Sequence, residues 1–150
     1  MKTLRSAVAV FWATSIGISP ASAHRLDEYL QATVIDPGRD HVMLRLRLTP
    51  GVDVADQVIA RIDTNRDGML SVGEKRAYAL QIARDLSVSL NGTSVTLRPE
   101  GGVFPTIAAM KAGTGIIMLQ FESKAFHTKA DNRLIYANRA TAPDVVYLVN

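Results

Sequence analysis

Cysteine is missing from all 150 residues. No disulfide can staple this chain, even in an oxidising compartment, so stability has to come from a core or from a bound metal. Aromatic residues are sparse at 6%, which argues against a stacking surface for single-stranded nucleic acid. Beyond residue 23 there is no apolar run of the ~20 residues needed to span a bilayer. An excess of one charge is also absent once the leader is set aside. Of the 17 basic residues, Lys2 and Arg5 lie in that leader, leaving 15 against 14 acidic residues. Such a balance leaves no electrostatic footprint for nucleic acid or anionic lipid. What is abundant is apolar side chain, 47% of the chain, enough for one packed domain and against disorder.

The first 23 residues read as a separate object. Lys2 and Arg5 give a positive start, Ala7 to Ser19 is uncharged and mostly apolar, Pro20 breaks the run, and Ala21-Ser22-Ala23 has the small-x-small form of a signal-peptidase site. The expectation is a cleaved secretory signal over residues 1–23. It places the remainder, 24–150, in the periplasm or outside the cell as a single β-rich domain with no membrane span.

Along that remainder the hydrophobic period changes twice. Leu26 to Ile35 reads as a strand, Asp36 to Asp40 as a turn, and His41 to Pro50 as a strand with Val42, Leu44, Leu46 and Leu48 on one face. From Val52 to Ile62 the apolar spacing becomes helical, with Asp53 as the expected N-cap. Gly73 to Leu86 reads as a second helix. Period two then returns. Leu86, Val88 and Leu90 alternate before Asn91-Gly92, a strong hairpin signal, and Val95 and Leu97 alternate after it. Gly113 to Ala125, Asn132 to Ala140 and Asp144 to Asn150 read as further strands, and a short helix is expected near Ile107 to Lys111. The predicted fold class is α+β: about seven short strands in a mostly antiparallel, sandwich-like arrangement, with a helix-loop-helix inserted at about 52–86.

The connector between the two helices carries the chemistry. Counting Asp63 as the first position, oxygen-bearing side chains fall at Asp63, Asn65, Asp67, Ser71 and Glu74, with Gly68 sixth and Met69 seventh. This is the EF-hand spacing. Calcium is a hard cation that takes six to eight oxygens. Asp63, Asn65 and Asp67 converge if the loop coils around the ion, and Gly68 permits the sharp turn. Met69 offers its backbone carbonyl, Ser71 binds directly or through water, and Glu74 reaches back with both oxygens from the first turn of the outgoing helix. Leu70 takes the apolar anchor position. Three formal negative charges, with Arg66 and Lys75 close by, predict weak to moderate binding, in the range of about 10⁻⁴ to 10⁻³ M typical of extracellular modules. No second such loop exists in the sequence, and the methionines do not cluster into the groove a calcium sensor exposes. A structural site is therefore expected rather than a sensory one.

The segments AHRLDEYLQATV, LTPG, IDTNRDG, NRLIYANR and VVYLVN together resemble the extracytoplasmic N-terminal domain of HupE/UreJ-type bacterial proteins. The resemblance implies a domain that precedes a multi-helix membrane region associated with nickel or cobalt transport, and so a membrane-transporter or other protein partner. No residue here matches the membrane motif, and transport itself does not carry over. A second expectation follows from cleavage after Ala23: His24 would become the N-terminus, whose amine and imidazole could chelate Cu²⁺ with His41 or His127. The sequence thus allows a transition-metal-handling component as the alternative to a calcium-binding module. The three histidines and scattered serines form no nucleophile pattern, so no catalysis is expected.

Overall fold

A computed structural model describes residues 27–124, 126–127, 131–140 and 145–150. The expected signal sequence, its cleavage site and His24 lie outside the described residues. Within them the fold is α+β, with two sheets of mostly antiparallel strands and three helices. No helix among the described residues is long and apolar enough to cross a membrane.

The described residues begin with a hairpin of β1 (Tyr29–Pro37) and β2 (Val42–Pro50), closed at Gly38, whose N–H donates to the His41 carbonyl. The expected start of β1 at Leu26 falls three residues too early. Two helices follow, α1 (Val52–Ile62) and α2 (Val72–Asp85), and then β3 (Leu86–Leu90), β4 (Thr93–Val95) and β5 (Leu97–Val103). After α3 (Ile107–Lys111) come β6 (Ile117–Ser123), β7 (Leu134–Asn138) and β8 (Val145–Val149). The larger sheet runs β5-β6-β2-β1-β8 and the smaller β4-β3-β7; only the β1/β8 pair is parallel.

Two differences from the expected elements have local causes. The strand reading around Val95 and Leu97 is right in period but wrong in continuity. The chain leaves the smaller sheet after Val95 and enters the larger one at Leu97, so eight strands are described instead of about seven. β5 continues through Pro99, Gly101 and Gly102, residues that weaken a strand signal. It survives because it is an edge strand with a register shift between Pro99 and Gly101, where a missing N–H costs no ladder bond. The second correction concerns α1. Its N-cap is Gly51, with no side-chain cap, and Asp53 sits inside the first turn, where a carboxylate still favours the positive end of the helix dipole.

β2 organises the core. Val42, Leu44, Leu46 and Leu48 are all buried, flanked by Tyr29 of β1 and by Ile117, Leu119 and Phe121 of β6. Onto this face pack Val54, Ala55, Val58, Ile59 and Ile62 of α1, Tyr78, Ala79 and Ile82 of α2, and Met110 of α3. Leu86 and Val88 tie the smaller sheet into the same cluster. The two sheets also share a polar seam. Thr33 Oγ1 and Tyr136 Oη lie 2.9 Å apart, and Asn138 Nδ2 donates to Gln31 Oε1 at 2.8 Å. At the Asn91-Gly92 turn both residues have positive φ, the backbone that a two-residue hairpin requires and that Asn and Gly tolerate.

One buried polar pair joins the hairpin to the helices. The hydroxyls of Tyr29 and Tyr78 are 2.7 Å apart, both residues being almost fully enclosed. Burial holds the Tyr29 phenol well above its ordinary pKa, with Tyr78 adding to the effect, so the pair is neutral at physiological pH. Tyr29→Phe is expected to cost about 1–3 kcal/mol in urea unfolding, because it strands the Tyr78 hydroxyl. The double variant with Tyr78→Phe is expected to cost less than the sum of the two single changes.

Candidate metal centre

The loop between α1 and α2 starts where α1 runs out of hydrogen-bonding room. Asp63 is the C-cap of α1, and its N–H still donates to Ile59 O at 2.8 Å. That contact pins the Asp63 backbone to the end of a helix whose last residue, Ile62, is fully buried. Asp63 as a whole is only 5% exposed. Its Oδ1 accepts from Asp67 N–H at 3.1 Å and its Oδ2 from Gly68 N–H at 3.0 Å. None of the described basic side chains makes an ion pair with it.

These contacts force the chain to coil. Arg66 and Gly68 both take positive φ, 60° and 77°. For Gly68 this is costless, and a side chain there would strain the turn. For Arg66 it is an unfavourable backbone held by its neighbours. Asn65 and Asp67 support the coil from inside. Asp67 N–H donates to Asn65 Oδ1 at 3.0 Å, Met69 N–H to Asp67 Oδ1 at 2.8 Å, and Asn65 Nδ2 to Asp67 Oδ2 at 2.8 Å. The Met69 side chain is largely exposed, consistent with only its backbone being of use to the loop. Leu70 packs against the core, as its anchor position predicts.

Glu74 closes the loop. Its Oε1 accepts from Thr64 N–H at 2.9 Å and from Thr64 Oγ1 at 3.3 Å, with Asn65 N–H more distant at 3.4 Å. Its Oε2 accepts from Ser71 N–H at 3.0 Å and from Ser71 Oγ at 2.7 Å. One carboxylate therefore joins the start of the loop to its end. Ser71 Oγ meanwhile lies 3.2 Å from Glu74 N–H as its acceptor, forming a capping box at the start of α2.

The structure thus gathers Asp63, Asn65, Asp67, Gly68, Met69, Ser71 and Glu74 into one coiled segment. It does not bring the carboxylates onto a common point: among the described residues no three His, Asp or Glu side chains form a cation-sized cluster. The loop oxygens are instead turned onto backbone N–H groups. Thr64 was missed by reading for ligands alone, because it is not an EF-hand ligand position. The second role of Ser71 and Glu74 was available in the sequence, since Ser-x-x-Glu before a helix is a capping signature.

The donor set nevertheless fits a hard divalent cation. Every side chain offered is an oxygen donor, one carboxylate is nearly enclosed without a cationic partner, and the backbone is already coiled at the glycine. A cation that drew these carboxylate oxygens inward would have to replace the N–H and hydroxyl partners that Asp63, Asp67 and Glu74 now accept from, which favours weak binding.

The other candidate ligands lie elsewhere. His41 sits at the β1–β2 turn, its Nδ1 2.9 Å from Asp40 Oδ1 and its Nε2 4.0 Å from Glu122 Oε1. His127 lines a separate depression with Asn91, Thr93 and Lys124. Compared with models of known protein families, with curated proteins and with solved structures, the chain matches none.

The hydrogen bonds from the Ser71 hydroxyl and N–H, helped by those of Asn65 and Thr64, lower the Glu74 pKa from 4.5 to about 2. A depressed carboxylate stabilises the fold above its unfolded pKa and loses that contribution as pH falls through the folded value. In calcium-free protein the Glu74 carboxyl carbon is expected to titrate near pH 2 by NMR. Stability is expected to drop between about pH 4.5 and 2, and this acid limb is expected to be shallower in Glu74→Gln.

Proposed function

We propose that this chain is an exported calcium-binding protein with one EF-hand loop, in which the ion braces the domain and no catalytic step is carried out. In this reading the α1–loop–α2 unit is an EF-hand inserted between strands of a sandwich-like β-domain. Asp63, Asn65, Asp67, Ser71 and Glu74 supply side-chain oxygens, Met69 supplies its carbonyl, and Gly68 makes the turn. The observation that carries the reading is the enclosed Asp63 carboxylate at the head of a twelve-residue loop, held among the described residues by the N–H groups of Asp67 and Gly68.

Bracing is favoured over signalling by what flanks the loop. Ile62 precedes it and Tyr78 follows on α2, and both are almost completely buried in one cluster. An ion that ties Asp63 to Glu74 therefore ties two core-anchored helices together. A sensor would instead need a helix pair free to open onto a methionine-rich groove. Export through the leader at residues 1–23 would deliver the domain to a compartment open to external calcium, where weak affinity suffices. The resemblance to the extracytoplasmic domain of HupE/UreJ-type proteins agrees with that location and with a membrane-transporter partner.

Melting in the presence of each metal tests this directly. At calcium about 100 times the Kd the fold is expected to gain about 2.7 kcal/mol, a rise in Tm of roughly 10 °C for a domain of this size. The shift is expected to vanish in Asp63→Ala. No shift at about 10–100 mM Ca²⁺, 100 times the expected Kd, would end the calcium reading. Stabilisation by Ni²⁺, Co²⁺ or Cu²⁺ instead, lost on His24→Ala, would favour the transition-metal alternative.

A further inference from the structure

Among the described residues β8 is an outer strand of the larger sheet, and its outer edge has an unusual composition. Val145 to Val149 reads Val-Val-Tyr-Leu-Val, with no charge, proline or glycine. Edges of this kind normally carry such a guard against pairing. The other outer strands among the described residues have one. β5 bears Arg98, Pro99, Glu100 and a register shift. β4 is three residues long. β7 is bracketed by Arg133 and Arg139, which antiparallel self-pairing would set opposite one another.

The hydrogen-bond directions of β8 are fixed by its end. Asn150 N–H donates to Thr33 O, and Ile35 N–H donates to Asn150 O, both at 3.0 Å. Asn150 therefore turns both backbone groups toward β1. Strand alternation gives Val146 and Leu148 the same direction, and leaves the N–H and C=O of Val145, Tyr147 and Val149 pointing off the sheet. These three outward pairs are symmetric about Tyr147.

We propose that the β8 edge is a self-association surface whose partner is the β8 strand of a second copy, paired antiparallel about a two-fold axis at Tyr147. In that register Val145 faces Val149 of the second copy, Val146 faces Leu148, and Tyr147 faces Tyr147. All six outward N–H groups of the two strands find carbonyl acceptors. No like charges meet, which is the condition the β7 edge fails. Leu148 and Val149, both more than half exposed, are covered by apolar neighbours. The joined sheets continue as one, and the interface is isologous, as a two-fold dimer requires. A five-residue strand pair buries well under the ~1,600 Å² of a standard interface, so the dimer is weak and forms at high concentration.

Sedimentation equilibrium of the chain from micromolar to millimolar concentration tests the surface. Wild type is expected to shift from monomer to dimer. Val149→Pro, which removes an outward N–H and leaves the β1 ladder intact, is expected to weaken dimerisation about thirtyfold, having lost one bond on each side of the axis. Its circular dichroism should be unchanged. The absence of native cysteine supplies a second measurement that does not depend on that variant folding. Facing residues of a hydrogen-bonded antiparallel pair have Cα atoms about 5.5 Å apart, within disulfide reach. Tyr147→Cys is therefore expected to give a disulfide dimer under mild oxidation. Val149→Cys, whose two copies lie four residues apart along the joint, is expected to stay monomeric. A wild type that remains monomeric at millimolar concentration, or equal cross-linking of both cysteine variants, would overturn the proposal.

Discussion

The inner face of β2 is the constraint on which the rest of the structure depends. With no cysteine in the chain, nothing covalent holds the fold, and the four apolar side chains of that strand are almost completely withdrawn from water. At about 1.5–3 kcal/mol for each fully buried aliphatic side chain, this one row outweighs any single hydrogen bond in the loop. Both neighbours of β2 in the sheet, β1 and β6, direct their own apolar or neutral polar side chains to the same side. Helices α1 and α2 then cover it. The loop is where those helices must turn around, so its geometry is imposed from both ends by Ile62 and Tyr78.

Within that frame the loop has more donors than cations. Backbone N–H groups of Thr64, Asp67, Gly68, Met69 and Ser71 point at carboxylate oxygens, and they do electrostatically what a positive ion would do, at lower strength. The Ser71 hydroxyl, with the N–H groups of Ser71, Asn65 and Thr64, accounts for the low pKa of Glu74, and the coil keeps its shape through hydrogen bonds alone. The same residues thus serve two states. Ser71 and Glu74 cap α2 as a reciprocal pair, and on the calcium reading they also offer oxygen to the ion. Those roles compete at both residues, most at Glu74, whose oxygens accept from both ends of the loop. Asp63 caps α1 through its backbone N–H, so its enclosed side chain takes no part in that cap.

The sequence was most legible where one period dominates. β2 alternates without exception and its buried face follows directly. The apolar spacing of α1 yields its buried residues Val54, Ala55, Val58, Ile59 and Ile62. The Asn91-Gly92 turn and the short helix at Ile107–Lys111 also stand where their local signals put them. The signal failed at β5, because Pro99, Gly101 and Gly102 lower strand propensity and only tertiary placement at an edge makes them tolerable. It failed again at Gly51, where the cap is a backbone feature with no side chain to read. Parallel pairing of β8 with β1 is invisible to local pattern, since it joins the two ends of the described chain. In the loop, the ligand spacing was plain and the hydrogen-bond partners were not. Thr64 acts through its backbone as much as its hydroxyl, and no residue-type rule marks a backbone donor.

The polar seam between the sheets shows why these parts form one domain instead of a hairpin with an attached helix pair. Gln31 and Thr33 are on the inward face of β1 and almost fully buried, a position where an unpaired amide or hydroxyl costs about 1–3 kcal/mol. Their partners, Asn138 and Tyr136, are contributed by β7, more than 100 residues further along the chain. β7 in turn pairs with β3, which leaves α2 without an intervening loop at Leu86. The smaller sheet is therefore fixed from two directions, by the seam with β1 and by its direct continuation from α2. Displacing α2 would move β3 and β7 and uncover Gln31 and Thr33 together. Holding α2 in place is thus worth more than the contacts of the helix itself. On the calcium reading, a brace at Glu74, in the first turn of α2, would act at the end of that helix not already fixed by β3, where Glu74 already accepts from Thr64 just beyond α1.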